Sequence, residues 1–298
     1  MKVLVTGASG FVGTALVAAL RAENHSVARL RRPGGALEAG DVRWDPSSGE
    51  VDLAGMESAD AVVNLAGASI AGGRWNDARK QLLRSSRVDT TRHLVASLSR
   101  LRVPPRVLVS ASAIGYYGDR GDEQLTEASA PGRDFLSGLT RDWEVAALEA
   151  EHASIRTVVV RFGIILAKHG GALARMLTPF KMGAGGRLGS GKQWMSWVTL
   201  EDASGMIRLA IGNENLRGPV TVVAPNPVTN AEFTRVLARI LRRPALFPAP
   251  AFALRLALGE MADALLLSSQ RVIPEKFLAM GFPFRQPQLE SAFRSVLS

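Results

Sequence analysis

Three glycines, Gly7, Gly10 and Gly13, stand between a short apolar run, Lys2-Val3-Leu4-Val5-Thr6, and a helical segment that continues through Thr14-Ala15-Leu16-Val17. Strand, glycine turn and helix in that order make a seat for a pyrophosphate. Gly7 makes the tight turn, Gly10 lets backbone approach the anion, and Gly13 lets the helix pack close to its strand. Free N–H groups of the helix's first turn, with the positive end of its dipole, then hold the phosphates. Thr6, Phe11 and Val12 lie in the same turn and join the expected contact set.

The second strand-like run, Val27-Ala28-Arg29-Leu30, ends in Arg31-Arg32-Pro33, and no acid follows until Glu38. A site for NAD usually places a carboxylate there to accept from the ribose hydroxyls. A guanidinium instead binds a 2′-phosphate through paired, charge-assisted hydrogen bonds. Arg31, nearest the strand end, and Arg32 therefore point to NADP(H); the alternative is that they only solvate a turn.

The elements that must hold these residues alternate along the chain. Apolar runs at Lys2–Thr6, Ser26–Leu30, Ala61–Leu65, Arg106–Ser110, Arg156–Arg161 and Val220–Val223 are separated by helical stretches. That alternation predicts an α/β fold, a Rossmann-type doubly wound parallel sheet, with a small, mostly helical C-terminal lobe. A long helix is expected over about residues 76–100, with Leu82, Leu83, Leu94, Val95 and Leu98 on one face. Further helices are expected over 135–151, 201–212, 230–242 and 252–267. The expected division is residues 1–225 for the cofactor, with a substrate-side insertion near 165–195, and 226–298 for a lid.

Composition narrows the function. The 298 residues, 47% hydrophobic, are enough for a full core and a second lobe. Cysteine is absent, and the four histidines (His25, His93, His152, His169) form no ligand-spaced pair, so no metal site is expected. The formal net charge of +9 is spread along the chain without a basic block, which argues against nucleic acid. No apolar stretch reaches spanning length and the chain enters a strand at Lys2, so a cytoplasmic protein without membrane contact is expected. A homodimer is compatible with all of this. The run Gly186-Arg187-Leu188-Gly189-Ser190-Gly191-Lys192 has the spacing of a phosphate-binding loop. It ends in Gln193, where such loops place the magnesium-binding Ser or Thr, which argues against ATP hydrolysis.

The G-x-x-G-x-x-G spacing resembles that of extended, epimerase-like members of the short-chain dehydrogenase/reductase superfamily. Asn64-Leu65-Ala66-Gly67 resembles the N-x-A-G segment that walls the adenine and ribose there, and Val109-Ser110-Ala111-Ser112-Ala113-Ile114-Gly115-Tyr116-Tyr117-Gly118 resembles the serine-rich strand end and Tyr-Gly loop. The resemblance places Ser112 at the catalytic serine position and implies Leu65, Ala66, Gly67, Arg87, Ser110 and Arg161 as further cofactor contacts. It also exposes a departure. The usual Tyr-x-x-x-Lys pair, which exchanges a proton with the substrate hydroxyl, is replaced by Leu136 and Thr140. Segments such as Gly73-Arg74-Trp75, Ser86-Arg87-Val88, Trp143-Glu144, Arg161-Phe162-Gly163 and Gln270-Arg271-Val272-Ile273-Pro274 make the chain similar, nearly end to end, to an atypical branch of unknown substrate.

Two readings follow. In the first, an oxidoreductase or epimerase-like enzyme acts on a small polar substrate: Ser112 holds the substrate oxygen, and Tyr116 or Tyr117 handles the proton if a cation such as Arg87 or Arg120 lowers its pKa. Arg74, Arg187 and Gln193 are the expected substrate contacts. In the second, the protein binds NADP(H) without turnover, as a sensor or regulator, and both tyrosines only pack against nicotinamide.

Overall fold

In the computed structural model, which describes residues 1–34 and 37–298, strands β1 (Lys2–Thr6), β2 (Ser26–Arg31), β3 (Val42–Arg43), β4 (Ala61–Asn64), β5 (Val107–Ala113), β6 (Arg156–Phe162) and β7 (Gly218–Val222) form one sheet. Their order is β7-β6-β5-β4-β1-β2-β3, and every neighbouring pair is parallel. The chain winds outward from β1 in one direction and from β4 in the other. The crevice between the carboxyl ends of β1 and β4 is therefore the switch point where ligands of such sheets bind.

Helices α1 (Phe11–Ala22), α2 (Asp77–Arg84), α3 (Thr90–Leu98), α4 (Phe135–Leu148), α5 (Gly171–Lys181), α6 (Leu200–Gly212), α7 (Asn230–Leu241), α8 (Ala251–Leu258) and α9 (Leu289–Leu297) cover the sheet and build the C-terminal lobe. Alternation along β1 sends Val3 and Val5 to the face packed by Leu16 and Leu20 of α1 and Met206 and Ile207 of α6. Leu4 points to the opposite face, with Val62, Leu108 and, from α3, Leu94 and Leu98. A third cluster joins α5, α7 and α9 through Leu173, Phe180, Phe233, Leu237 and Phe293. Residues Arg271–Val272 pair with Gln124–Leu125, which ties the lobe to the loop after β5.

Two expected helices are broken. The stretch 76–100 is interrupted by a π-helical turn at Ser85–Asp89, and Leu82 is 46% exposed while Leu83, Leu94, Val95 and Leu98 are buried. The extra residue per π turn rotates the register, so a single face cannot hold both ends. The stretch 252–267 ends its first helix at Leu258 because Gly259 takes φ +62°, outside the helical region. No helix among the described residues is long and apolar enough to cross a membrane, and among them no cluster of ligating side chains could hold a metal.

A Cβ on Gly13 would stand 2.2 Å from the Gly7 carbonyl oxygen and 2.8 Å from Ala8 Cα. Gly13→Ala should therefore destabilise by about 1–3 kcal/mol through forced backbone displacement. Gly138 in α4 meets nothing within 4 Å, so Gly138→Ala should be neutral or stabilising by up to about 1 kcal/mol. Urea denaturation of the two variants checks the contrast.

Candidate functional site

The glycine turn is shaped by close approaches. Gly7 takes φ +64°, and a Cβ there would lie 2.5 Å from the Leu65 carbonyl oxygen. Gly10 caps α1 from an extended conformation without a side-chain cap, leaving the helix's leading N–H groups without one. Phe11 turns aside, its ring pressed against Gly170 and Gly171 at the start of α5, and Val12 packs on the core. The side chains of these two are thus taken up by protein.

Beneath the turn lies a buried polar row. Thr6, Asn64 and Ser110 are level on β1, β4 and β5. The Thr6 hydroxyl donates to Asn64 Oδ1 at 2.7 Å, and Asn64 Nδ2 donates to Thr91 and Ser110. The amides of Leu65 and Ala66 donate to Thr6 Oγ1. Thr6 and Ser110, expected as cofactor contacts, are fully buried. Thr6 ties down the Leu65 and Ala66 amides, and Ser110 braces Asn64 beneath them.

At the outer end of β2 the acids are neutralised. Arg29 pairs with Asp41 at 2.7 Å and with Glu38 at 2.8 Å. Those bonds hold the Asp41 carboxyl below the ordinary range, although burial works against them. Arg31 and Arg32 pair with no carboxylate among the described residues. The sheet adds Arg43, which stands level with Arg31 on the neighbouring strand. Arg43 carries no signal in the sequence, because a two-residue strand is too short for any periodicity.

The serine and tyrosines are arranged differently from the expectation. Ser112 is 2% exposed and donates to Glu144 Oε1 at 2.6 Å. Arg161, level with Ser112 on β6, grips both oxygens of Glu144 at 2.8 Å. Its remaining amino group donates to the Tyr117 hydroxyl at 3.0 Å and to the Glu127 carbonyl. Arg161, expected at the cofactor, is thus an interior cation whose fork is filled by protein. Ser112 and Tyr117, expected as catalytic, spend their hydroxyls inside the same network. Burial pushes the Tyr117 phenol up to about 12, outweighing the Arg161 charge. That is the opposite of an activated acid. Tyr116 differs. It is half-buried, its ring lies 3.5 Å from the Arg161 guanidinium carbon, and no side-chain hydrogen bond engages its hydroxyl among the described residues. Leu136 packs on Gly115, and the Thr140 hydroxyl returns to the backbone of its own helix.

Arg120, one of the cations expected to tune a tyrosine, is held by Glu123 and the Ala130 carbonyl. Arg87 lies against Gly67, donates to the Ala68 carbonyl at 2.9 Å and to the Leu83 carbonyl at 3.2 Å, and sits 5.2 Å from the Trp143 ring. Desolvation, helped by nearby Arg79, lowers it to about 10. Arg74 reaches toward Gly259 in the C-terminal lobe. Gln193 is corrected to an interior strut: 7% exposed, it donates to the Leu188 and Leu266 carbonyls. Arg187 borders a separate cavity with Thr234, Arg235, Leu246 and Pro248, which shares no lining residue with the glycine turn. Glu144 went unrecognised as a partner, although a single acid at the spacing of Leu136, Leu139, Thr140 and Trp143 marks the buried face of α4.

A doubly wound parallel sheet with a glycine turn at its switch point defines a Rossmann-type α/β protein. The model of the NAD dependent epimerase/dehydratase family matches residues 3–224, and a domain of unknown function matches 249–296. The chain belongs to that epimerase family, as an atypical extended short-chain dehydrogenase/reductase. It is 43% identical over 290 residues to an epimerase family protein of Mycobacterium bovis, covering 97% of this chain and 95% of the relative. It is 39% identical to the epimerase family protein YfhF of Bacillus subtilis, covering 100% and 98%. Among solved structures, the human epimerase family protein SDR39U1 with NADPH superposes with a TM-score of 0.89 at 35% identity, covering 99% of both chains.

The raised Tyr117 pKa fixes a sign. The folded state holds the phenolic proton more tightly than the unfolded chain, whose tyrosine titrates near 10. This group's stabilisation is complete below about pH 10 and is lost as the pH rises toward 12. A difference titration of tyrosinate absorbance between the parent and Tyr117→Phe should show a step near pH 12 in the native protein. In urea the step should fall to about 10; a native step at or below 10 would contradict the burial argument.

Proposed function

We propose that this protein is an NADP(H)-dependent oxidoreductase or epimerase-like enzyme acting on a small polar molecule. The observation that carries the reading is the glycine turn, where a Cβ on Gly7 or Gly13 would collide with backbone at 2.5 and 2.2 Å. Backbone packed that closely closes the turn and presents the first amides of α1 where a pyrophosphate would meet them. The residues fit the cofactor: Gly7, Gly10 and the α1 amides for the pyrophosphate, Leu65–Gly67 for the wall, and Arg31 with Arg32 and Arg43 for a 2′-phosphate. A human relative solved with NADPH supports the same choice. When bound, NADP(H) supplies hydride chemistry.

This chain's own task is then to hold substrate and proton. Tyr116 is the donor that geometry leaves available, with the Arg161 guanidinium against its ring. The ion pair of Lys80 with Glu260, and Ala264 and Leu265 packed near Ile70 and Trp75, support residues 226–298 as the side that closes on substrate. A second reading, NADP(H) binding without turnover, is favoured by the internal bonds of Ser112 and Tyr117.

Replacing the phosphate-facing charge separates NADPH from NADH. Arg31→Ala should weaken NADPH binding about tenfold, the equivalent of about 1.4 kcal/mol, with NADH little changed. Nicotinamide fluorescence titration reads both, and equal losses would remove the 2′-phosphate assignment.

Label transfer tests turnover. Incubation with NADPH deuterated at the reactive carbon and a metabolite extract should label one compound only when protein is present. Tyr116→Phe should lower that labelling at least about a hundredfold while NADPH affinity holds. Tight NADPH binding with no labelled compound from any extract would favour the sensor reading.

A further inference from the structure

The loop that follows β4 is ringed by arginines without acid partners. Residues 65–88 contain five basic side chains and one acid, Asp77. Two of the basic groups are neutralised, Lys80 by Glu260 and Arg84 by Asp142. Arg74, Arg79 and Arg87 pair with no carboxylate among the described residues, and neither does Arg175 on α5. Three of these reach the same short loop. Arg87 donates to the Ala68 carbonyl, Arg79 to that of Ser69, and Arg175 to that of Ala71. Arg74 springs from the loop itself, at its far end.

Such a gathering is unfavourable for the folded chain alone. Arg79 and Arg87 repel each other, and Arg87 is mostly desolvated, so its pKa falls to about 10. Arg79 also has a buried Nε with no hydrogen-bond partner among the described residues. A buried N–H left unpaired costs about 1–3 kcal/mol. Carbonyl oxygens satisfy some N–H groups but carry no full negative charge, so the excess positive charge stays unbalanced.

The cluster adjoins the cofactor's crevice without being part of the glycine turn. The Arg87 guanidinium carbon lies 3.4 Å from where a Gly67 Cβ would stand, and the Leu65 end of the same loop covers Gly7. Arg175 belongs to the helix whose first residues hold Phe11. The loop therefore has a cofactor side and an arginine side.

We propose that Arg74, Arg79, Arg87 and Arg175 form the seat of a small polyanionic substrate, bearing two or more phosphate or carboxylate groups. This rests on the oxidoreductase reading above and names its substrate class. Planar guanidinium forks suit both kinds of oxyanion and bind them bidentately. Four forks around one loop demand more than one anionic group.

Calorimetric titration of the NADPH-saturated protein with inorganic pyrophosphate, and separately with citrate, at low ionic strength tests the seat. At least one probe should bind with one-to-one stoichiometry, and which one binds distinguishes phosphate from carboxylate ligands. Arg175→Gln, at an exposed position of α5, and Arg79→Gln should each weaken that probe tenfold or more. NADPH affinity should change less than twofold. Absence of binding by both probes, or binding indifferent to both substitutions, would overturn the proposal. So would a matching loss of NADPH affinity, which would assign the arginines to the cofactor itself. If the parent protein fails to bind NADPH, the oxidoreductase reading falls. The same titration of the free protein still decides whether the arginines seat an anion.

Discussion

Arg161 and Glu144 form a bidentate ion pair sealed between the sheet and α4, and most of the site's arrangement depends on its closure. Both side chains are nearly inaccessible, at 3% and 8% exposure. Two charges removed from water are tolerated only if every lone pair and N–H finds a partner. That requirement recruits the neighbours: Ser112 supplies the third bond to Glu144, while Tyr117 and the Glu127 carbonyl take the rest of the fork. Glu127 in turn accepts from the amide and hydroxyl of Thr221 on β7. One pair thus spans the carboxyl ends of β5, β6 and β7 and fixes the loop that carries both tyrosines.

The same closure fixes what α4 presents to the strand end. In a member with the Tyr-x-x-x-Lys pair, α4 presents a phenol and an ammonium toward the strand end. This α4 presents Leu136 and Thr140, both buried, and its charge is the carboxylate of Glu144 facing an arginine on the sheet. A lysine at 140 would enter a closed interior beside an already satisfied pair, at the cost of an unpaired buried charge. What remains free at this edge is the rim: the Tyr116 hydroxyl, the loop over Gly7, and the arginines outside it.

Much of the fold was legible because its signals are local. Apolar runs of four to seven residues and the glycine spacing lie within single elements, and six sheet strands were placed within a few residues of their observed ends. The parts that were not legible depend on distance or on backbone register. Ser112 meets Glu144 across 32 positions, and nothing adjacent to either residue announces the bond. Its consequence is a serine whose hydroxyl is spent on a buried carboxylate. Arg43 gains meaning only once two-residue β3 lies beside β2, and Leu82 loses its place on the buried face because a π turn intervenes. Resemblance points to the loop of Tyr116 and Tyr117; hydrogen bonding across the fold decides which of its hydroxyls are occupied.

Charge is distributed along the sheet's carboxyl edge in a way that separates structure from ligand. At the centre, Arg161 is matched by Glu144, and at β2 Arg29 absorbs Glu38 and Asp41. On either side of the crevice the matching stops. Arg31 stands level with Arg43 across neighbouring strands, and Arg79 lies close enough to Arg87 to depress its pKa. Like charges placed side by side, one of them desolvated, lower the stability of the folded chain. A sequence selected only to fold would have little reason to keep both groups beside a crevice already shaped for phosphate. The formal charge of +9 therefore has a local meaning. Part of it sits beside the crevice, in arginines that no carboxylate among the described residues pairs, where anionic ligands would complete the electrostatics.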